Sequence, residues 1–140
     1  MRYAALAVVV CLGGCSLASS GSECKIDSQC GDGDDVCARN GECLPRSSVR
    51  GVTVDWTVSG LAAGASTCAA HPTLYLQFDG PEYGDSFRFA PVPCKVGKFF
   101  IDKLPSRYNQ VEIGVEGGAG AGDLSFIDAA SAQAQLDLFQ

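Results

Sequence analysis

The sequence lacks an apolar run long enough to span a bilayer. Its N-terminal run, Ala4–Leu12, has nine residues, whereas a transmembrane helix takes roughly 20. Histidine is almost absent. The single one, His71 in Ala69-Ala70-His71-Pro72, precedes a proline beside a predicted strand start and reads as a surface loop residue. Neither Gly-x-Ser-x-Gly nor His-Glu-x-x-His occurs, and no two carboxylates are marked as facing each other across a cleft. Without a nucleophile, a base or a metal set, the expectation is a protein that is not an enzyme and holds no metal or cofactor. Cations are also scarce: 10 Lys and Arg stand against 16 Asp and Glu, a net charge of −6. That balance argues against nucleic acid as a partner and gives no electrostatic attraction to anionic lipid. No stretch carries a 3.6-residue apolar period, so a helical core is not expected.

What the N-terminus does have is one positive residue, Arg2, the short apolar run, and the exit Leu12-Gly13-Gly14-Cys15. A charged start, an apolar stretch of about 7–15 residues and small residues at the exit make an export signal. Leu12-Gly13-Gly14-Cys15 resembles the lipobox of bacterial lipoproteins. The resemblance implies removal of residues 1–14, a diacylglyceryl group on the Cys15 sulfur, and a lipidated tether over residues 15–22. Each buried methylene contributes about 0.8 kcal/mol, and two or three acyl chains hold a protein durably where one does so only marginally. The expected partner is therefore the membrane, through the lipid on Cys15. Ser16 stands where lipoproteins kept in an inner membrane often carry Asp. For a diderm cell the resemblance thus implies the outer membrane. A conventional cut near Ala18, Ser19 and Ser20 is the competing reading and would release a soluble protein.

The eight cysteines sort by this scheme. Cys11 leaves with the signal, Cys15 takes lipid, and Cys24, Cys30, Cys37, Cys43, Cys68 and Cys94 remain. An even set in an exported chain reads as disulfides. Four of them fall in residues 23–46, separated by five, six and five residues. Gly31, Gly33 and Gly41 supply turns there, and Ile26, Val36 and Leu44 are almost the only apolar groups. Such a piece cannot build a core, so cross-links must hold it. Zinc is not expected, because its ligands usually come in pairs two to four residues apart. The run Asp32-Gly33-Asp34-Asp35 lacks the alternation and the distant Glu of an EF-hand and reads as a solvated acidic turn. Cys-x-x-Asp-x-x-Cys followed by Cys-x-x-x-Gly-x-Cys is similar to the small EGF-like or Dickkopf-like modules of exported bacterial lipoproteins. Four cysteines allow three pairings; the interlocked one, Cys24–Cys37 with Cys30–Cys43, is preferred.

From Val52 the texture changes. Val52, Val54, Trp56 and Val58 alternate with Thr53, Asp55 and Thr57, the period of a half-buried strand. The alternation returns at Leu74, Leu76 and Phe78, at Phe87 and Phe89, at Phe99 and Ile101, and at Val111, Ile113 and Val115. Leu124 and Phe126, then Ala134, Leu136 and Leu138, complete the series. Turn residues lie between: Gly60, Gly64, Asp79-Gly80-Pro81, Pro91, Pro93, Pro105 and the glycine-rich run 117–122. Seven short strands over residues 50–140 predict a mainly β protein, with an antiparallel Ig-like β-sandwich behind the cysteine module. The glycine-rich run has no Lys-Ser/Thr or helix after it, so it reads as a loop and not as a phosphate cradle. Cys68 and Cys94 are the only cysteines of this domain and are expected to bridge each other. Trp56 precedes both, unlike the antibody order. The stretch Lys98-Phe99-Phe100-Ile101-Asp102-Lys103-Leu104-Pro105-Ser106-Arg107-Tyr108, continuing to Val111-Glu112-Ile113, is similar to bacterial Ig-like domains of the carboxypeptidase-regulatory or transthyretin-like type. The resemblance implies a sandwich core, a tyrosine packed over the turn, and no catalytic residue.

Binding is what the residues leave open. Tyr75, Tyr83, Phe87 and Arg88, near the loop Asp79–Asp85, are a candidate aromatic patch for a protein or carbohydrate partner. The plainer reading puts Tyr75 on the outer face of its strand and Tyr83 on a turn. The expected function is that of a membrane-anchored, non-catalytic binding or interaction module at a surface or periplasmic face. The alternative is a secreted disulfide-rich inhibitor or ligand-like protein acting through residues 23–46.

Overall fold

A computed structural model describes residues 23–31, 33–118 and 122–136. The expected signal segment 1–14, the tether 15–22 with Cys15, Asp32, residues 119–121 of the glycine-rich run and Leu138 lie outside the described residues. After a 3₁₀ turn at Asp27–Gln29, the module forms the short hairpin β1 (Asp35–Cys37) and β2 (Cys43–Pro45). Its buried cluster is sulfur: Cys24, Cys30 and Cys37, with Cys43 against them. Cys24 is bonded to Cys37 and Cys30 to Cys43. Val36 is fully buried, while Ile26 is exposed and Leu44 half-buried. The Cys37 N–H donates to Asp27 Oδ1 at 2.9 Å, which ties the first turn to the hairpin. With so little apolar area, the two bridges hold the piece by restricting its unfolded chain.

A second 3₁₀ turn, Arg46–Ser48, leads into β3 (Val49–Val58), followed by β4 (Leu61–Ala62), β5 (Thr73–Asp79), β6 (Ser86–Pro93) and β7 (Lys98–Pro105). Then come β8 (Gln110–Val115), β9 (Asp123–Phe126) and β10 (Ser131–Leu136). One sheet has β3 at its centre, with β10 on one side and β7 and β4 on the other; the second runs β6-β5-β8-β9. Their facing residues close a single core: Val52, Val54, Trp56 and Val58 meet Leu74, Leu76, Phe78, Val111 and Ile113. Every second residue of β3 and β5 therefore leaves water, about 1.5–3 kcal/mol for each large apolar side chain. Phe78, Phe87, Phe89, Phe99 and Tyr108 form a chain of ring contacts with centroids 5.0–6.1 Å apart. The Trp56 Nε1–H donates to the Cys94 carbonyl at 2.9 Å, beside the Cys68–Cys94 bridge.

Two features depart from the alternation reading. The sandwich has an eighth strand, the two-residue β4, which returns along β3 through Ser59 and Gly60, both with positive φ. Nor is the pairing wholly antiparallel: β10 runs parallel to β3, with Ser131 opposite Thr53 and Leu136 opposite Val58. The chain crosses from one sheet to the other at the Asp128–Ser131 bridge, and the Ala130 carbonyl accepts from the Thr53 N–H at 2.9 Å. The last strand thus enters beside Thr53 and follows β3 to Val58 in the same direction.

Candidate functional site

The module lies against the sandwich along a seam of charge. Three ion pairs cross it: Arg39–Asp102, Asp27–Lys103 and Glu42–Arg107. One backbone bond crosses it too, from the Arg39 N–H to the Lys103 carbonyl at 3.1 Å. The apolar clusters of module and sandwich are separate. The sandwich side of the seam is shaped by a β-bulge. Arg50 opposes Leu104 and Val52 opposes Ile101, so Gly51 faces two residues of β7, Asp102 and Lys103. A bulge bends its strand and re-aims side chains. Here Lys103 takes φ 48°, offers its carbonyl to Arg39, and places Nζ 2.8 Å from Asp27 Oδ1.

Arg107 is the hub of the seam. Its guanidinium meets Glu42 at 2.8 Å and Asp85 at 2.8 Å and lies 4.9 Å from the centroid of the Tyr108 ring. Tyr108 is buried and its hydroxyl donates to Asp85 Oδ1 at 2.8 Å. The same hydroxyl accepts from Asn40 Nδ2 of the module at 3.4 Å. These contacts set the acidities. The Arg107 bond holds the Glu42 and Asp85 carboxyls below their ordinary values, the Tyr108 hydroxyl adding to the effect on Asp85. Lys103 does the same for Asp27, with the Cys37 N–H adding to it, and Arg39 for Asp102. Burial, then the bond to Asp85, raises the Tyr108 phenol. Below the hub, Arg50 donates to the carbonyls of Ala129 and Tyr108 at 2.7 and 2.9 Å, fixing the turn that carries Arg107.

Beside this hub the β5–β6 loop rises over an open cleft of about 520 Å³ bounded by Glu42, Arg107 and residues 81–85. The loop is pinned at its base by the Gly80 N–H to the Asp85 carbonyl at 2.8 Å and by the Asp85 N–H to the Glu82 carbonyl at 3.0 Å. A Cβ at Gly80 would stand 2.3 Å from the Asp85 carboxylate, so a side chain there would displace the group that holds Arg107. Tyr83, at the tip, is wholly exposed.

The four residues singled out as an aromatic patch are divided among three places. Phe87 is half-buried and packs on Phe78, Phe89 and Tyr108 in the core. Tyr75 and Arg88 share the outer face of the second sheet, with the guanidinium carbon 3.8 Å above the Tyr75 ring centroid. Only 8% of Tyr75 is exposed: its hydroxyl donates to Glu112, and Arg88 is held over it by Glu116 at 2.9 Å. Burial, then the Glu112 bond, pushes its phenol up to about 12. The ring lies flat because a Cβ at Gly114 would come within 2.6 Å of it. A ring so covered offers no stacking platform to a sugar. Of the three rings Tyr83 alone is exposed, and Arg88, though exposed, is engaged with Tyr75 and Glu116.

His71 sits in the turn after Cys68, its N–H bonded to the Cys68 carbonyl at 3.2 Å. The sulfurs of Cys24, Cys30 and Cys43 lie within 4.8 Å of one another, and disulfide formation removes them as metal ligands. Among the described residues no helix is long and apolar enough to cross a membrane. The residues that sequence reasoning passed over are those of the seam, Asp27, Arg39, Glu42, Asp85, Asp102, Lys103 and Arg107. Only Asp102, Lys103 and Arg107 cluster in the sequence, around Leu104-Pro105; the other four carry no local signal. No family model matches the chain, and searches of characterised proteins and of solved structures return no match.

Proposed function

We propose that this chain is an exported, non-catalytic lipoprotein that presents a disulfide-held module and a β-sandwich as one interaction unit at a membrane surface. The observation that carries the reading is the assignment of the cysteines. The bridges Cys24–Cys37, Cys30–Cys43 and Cys68–Cys94 use all six cysteines of residues 24–94. Of the eight cysteines, Cys11 and Cys15 then remain, and Cys15 is the one at the end of the lipobox-like Leu12-Gly13-Gly14, the place where a lipoprotein is acylated. Resemblance to lipoproteins, and of the sandwich to carboxypeptidase-regulatory or transthyretin-like domains, is part of this proposal and rests on the motif residues. The ionic seam favours a module that acts together with the sandwich; the alternative, a secreted disulfide-rich inhibitor or ligand-like protein acting through residues 23–46, expects activity in those residues alone. A partner is a protein or a carbohydrate; nucleic acid is disfavoured by the net charge of −6. The test is metabolic labelling with palmitate in a bacterial host. Wild type takes up label and partitions with the outer membrane, and Cys15→Ala does neither. Equal labelling of the two overturns the anchor.

A further inference from the structure

Charge in the cleft beside the seam does not balance. The single positive charge of Arg107 is shared by Glu42 and Asp85, which leaves one negative charge in surplus, and Glu82 on the loop adds a second. Tyr83 stands next to Glu82 with its relative exposure at 110%, an aromatic ring placed wholly in water. The loop beneath it is pinned by two backbone bonds and by Asp85, which holds both Arg107 and Tyr108. With the loop backbone already pinned, only the two side-chain torsions of the ring remain to be ordered when a partner covers it. The negative face of the ring attracts a cation, more strongly as the pair is desolvated, and a nearby carboxylate adds a charge-assisted hydrogen bond. A neutral sugar needs free polar groups around the ring, and those of Glu42, Asp85 and Arg107 are largely engaged with one another.

We propose, resting on the interaction role above, that the cleft between Glu42, Arg107 and residues 81–85 docks an arginine- or lysine-bearing segment of a partner protein, with Tyr83 as its anchor and Glu82 as the counter-charge. The acidic chain steers such a segment toward the surface; the ring decides where it stops.

The probe is acetyl-tetraarginine amide, added to ¹⁵N-labelled full chain in detergent at about 0.15 M salt, where long-range attraction between exposed charges is largely screened. Shifts should concentrate at Glu42, residues 82–85 and Arg107. Tyr83→Ala, which leaves every charge in place on a fully exposed side chain, should weaken binding about fivefold, and Tyr83→Phe should restore it. Glu82→Gln should weaken binding further. Equal affinity of wild type and Tyr83→Ala, or shifts spread as strongly to Asp123 and Asp128, would reduce the effect to general attraction and overturn the site. Chitotetraose moving the same resonances while tetraarginine does not would assign the cleft to a glycan and overturn it too. Because binding is read on purified protein, this test can fail while Cys15 labelling succeeds, and the reverse.

Discussion

At the scale of single residues, Lys103 shows how the seam is made. Its φ of 48° is a left-handed backbone that a residue with a Cβ holds at a cost of about 1–2 kcal/mol. In exchange the bulge turns the Lys103 carbonyl to the Arg39 N–H and its amine to Asp27. Strain of this kind persists where the surroundings over-determine it. Lys103→Ala and Lys103→Gly both lose the Asp27 pair, but glycine is free of the left-handed cost. Lys103→Gly should therefore be the more stable of the two by about 1 kcal/mol, the reverse of the order expected within a regular strand. Denaturant unfolding followed by Trp56 fluorescence measures the difference. An alanine variant as stable as the glycine variant would mean that Lys103 is not left-handed in solution.

Among elements, what the sequence announces depends on how far the deciding contact lies. The alternations at Val52–Val58 and Leu74–Phe78 locate β3 and β5, because one face of each is buried and a period of two is read within the strand itself. Leu61 and Ala62 are both exposed and too few to show a period, so β4 could not be found. The direction of β10 depends on where the Asp128–Ser131 turn delivers it, which no local pattern encodes. The cysteine spacings mark the module as cross-linked, yet three pairings fit them equally. The separation of its sulfur cluster from the sandwich core leads to an expectation. Cys24→Ala/Cys37→Ala removes a bridge of sequence separation 13, about 2–4 kcal/mol, from a piece with almost no other core. Amide exchange in residues 24–45 should rise to near the unfolded rate. The module has no aromatic residue, so Trp56 emission reports the sandwich, and its unfolding midpoint should stay close to wild type. A midpoint that falls by the full cost of the bridge would instead make module and sandwich one cooperative unit.

For the molecule as a whole, the seam is where the two parts become one body, and it is the least legible feature of the chain. The paired residues Arg39 and Asp102, Glu42 and Arg107, and Asp27 and Lys103 are 63, 65 and 76 positions apart. Each reads from sequence as an ordinary surface charge; only the docked arrangement gives it a partner. The same arrangement sets a pH dependence. The Asp27, Glu42, Asp85 and Asp102 carboxyls are all held below their ordinary values, first by Lys103, Arg107, Arg107 and Arg39 respectively. A carboxyl whose folded value is depressed adds stability that is fully present above its unfolded value, near 4, and is lost as pH falls through the folded value. The facing guanidiniums of Arg39 and Arg107, each raised first by its carboxylate partner, keep their charge throughout that range, and the Tyr108 phenol, raised by burial, stays neutral. Docking should therefore be constant from pH 5 to 8 and weaken progressively below about pH 4, at higher pH when salt screens the pairs. The ¹H–¹⁵N resonance of Arg39, whose N–H bonds Lys103 across the seam, reports it, while Trp56 shows the sandwich still folded. Arg107→Gln removes the cause of the Glu42 and Asp85 depression, so both carboxyls should titrate at higher pH and the Arg39 resonance should begin to move earlier. Carboxyls that titrate identically in wild type and Arg107→Gln would mean that the Arg107 pairs do not form in solution and that Arg39–Asp102 and Asp27–Lys103 carry the seam without them.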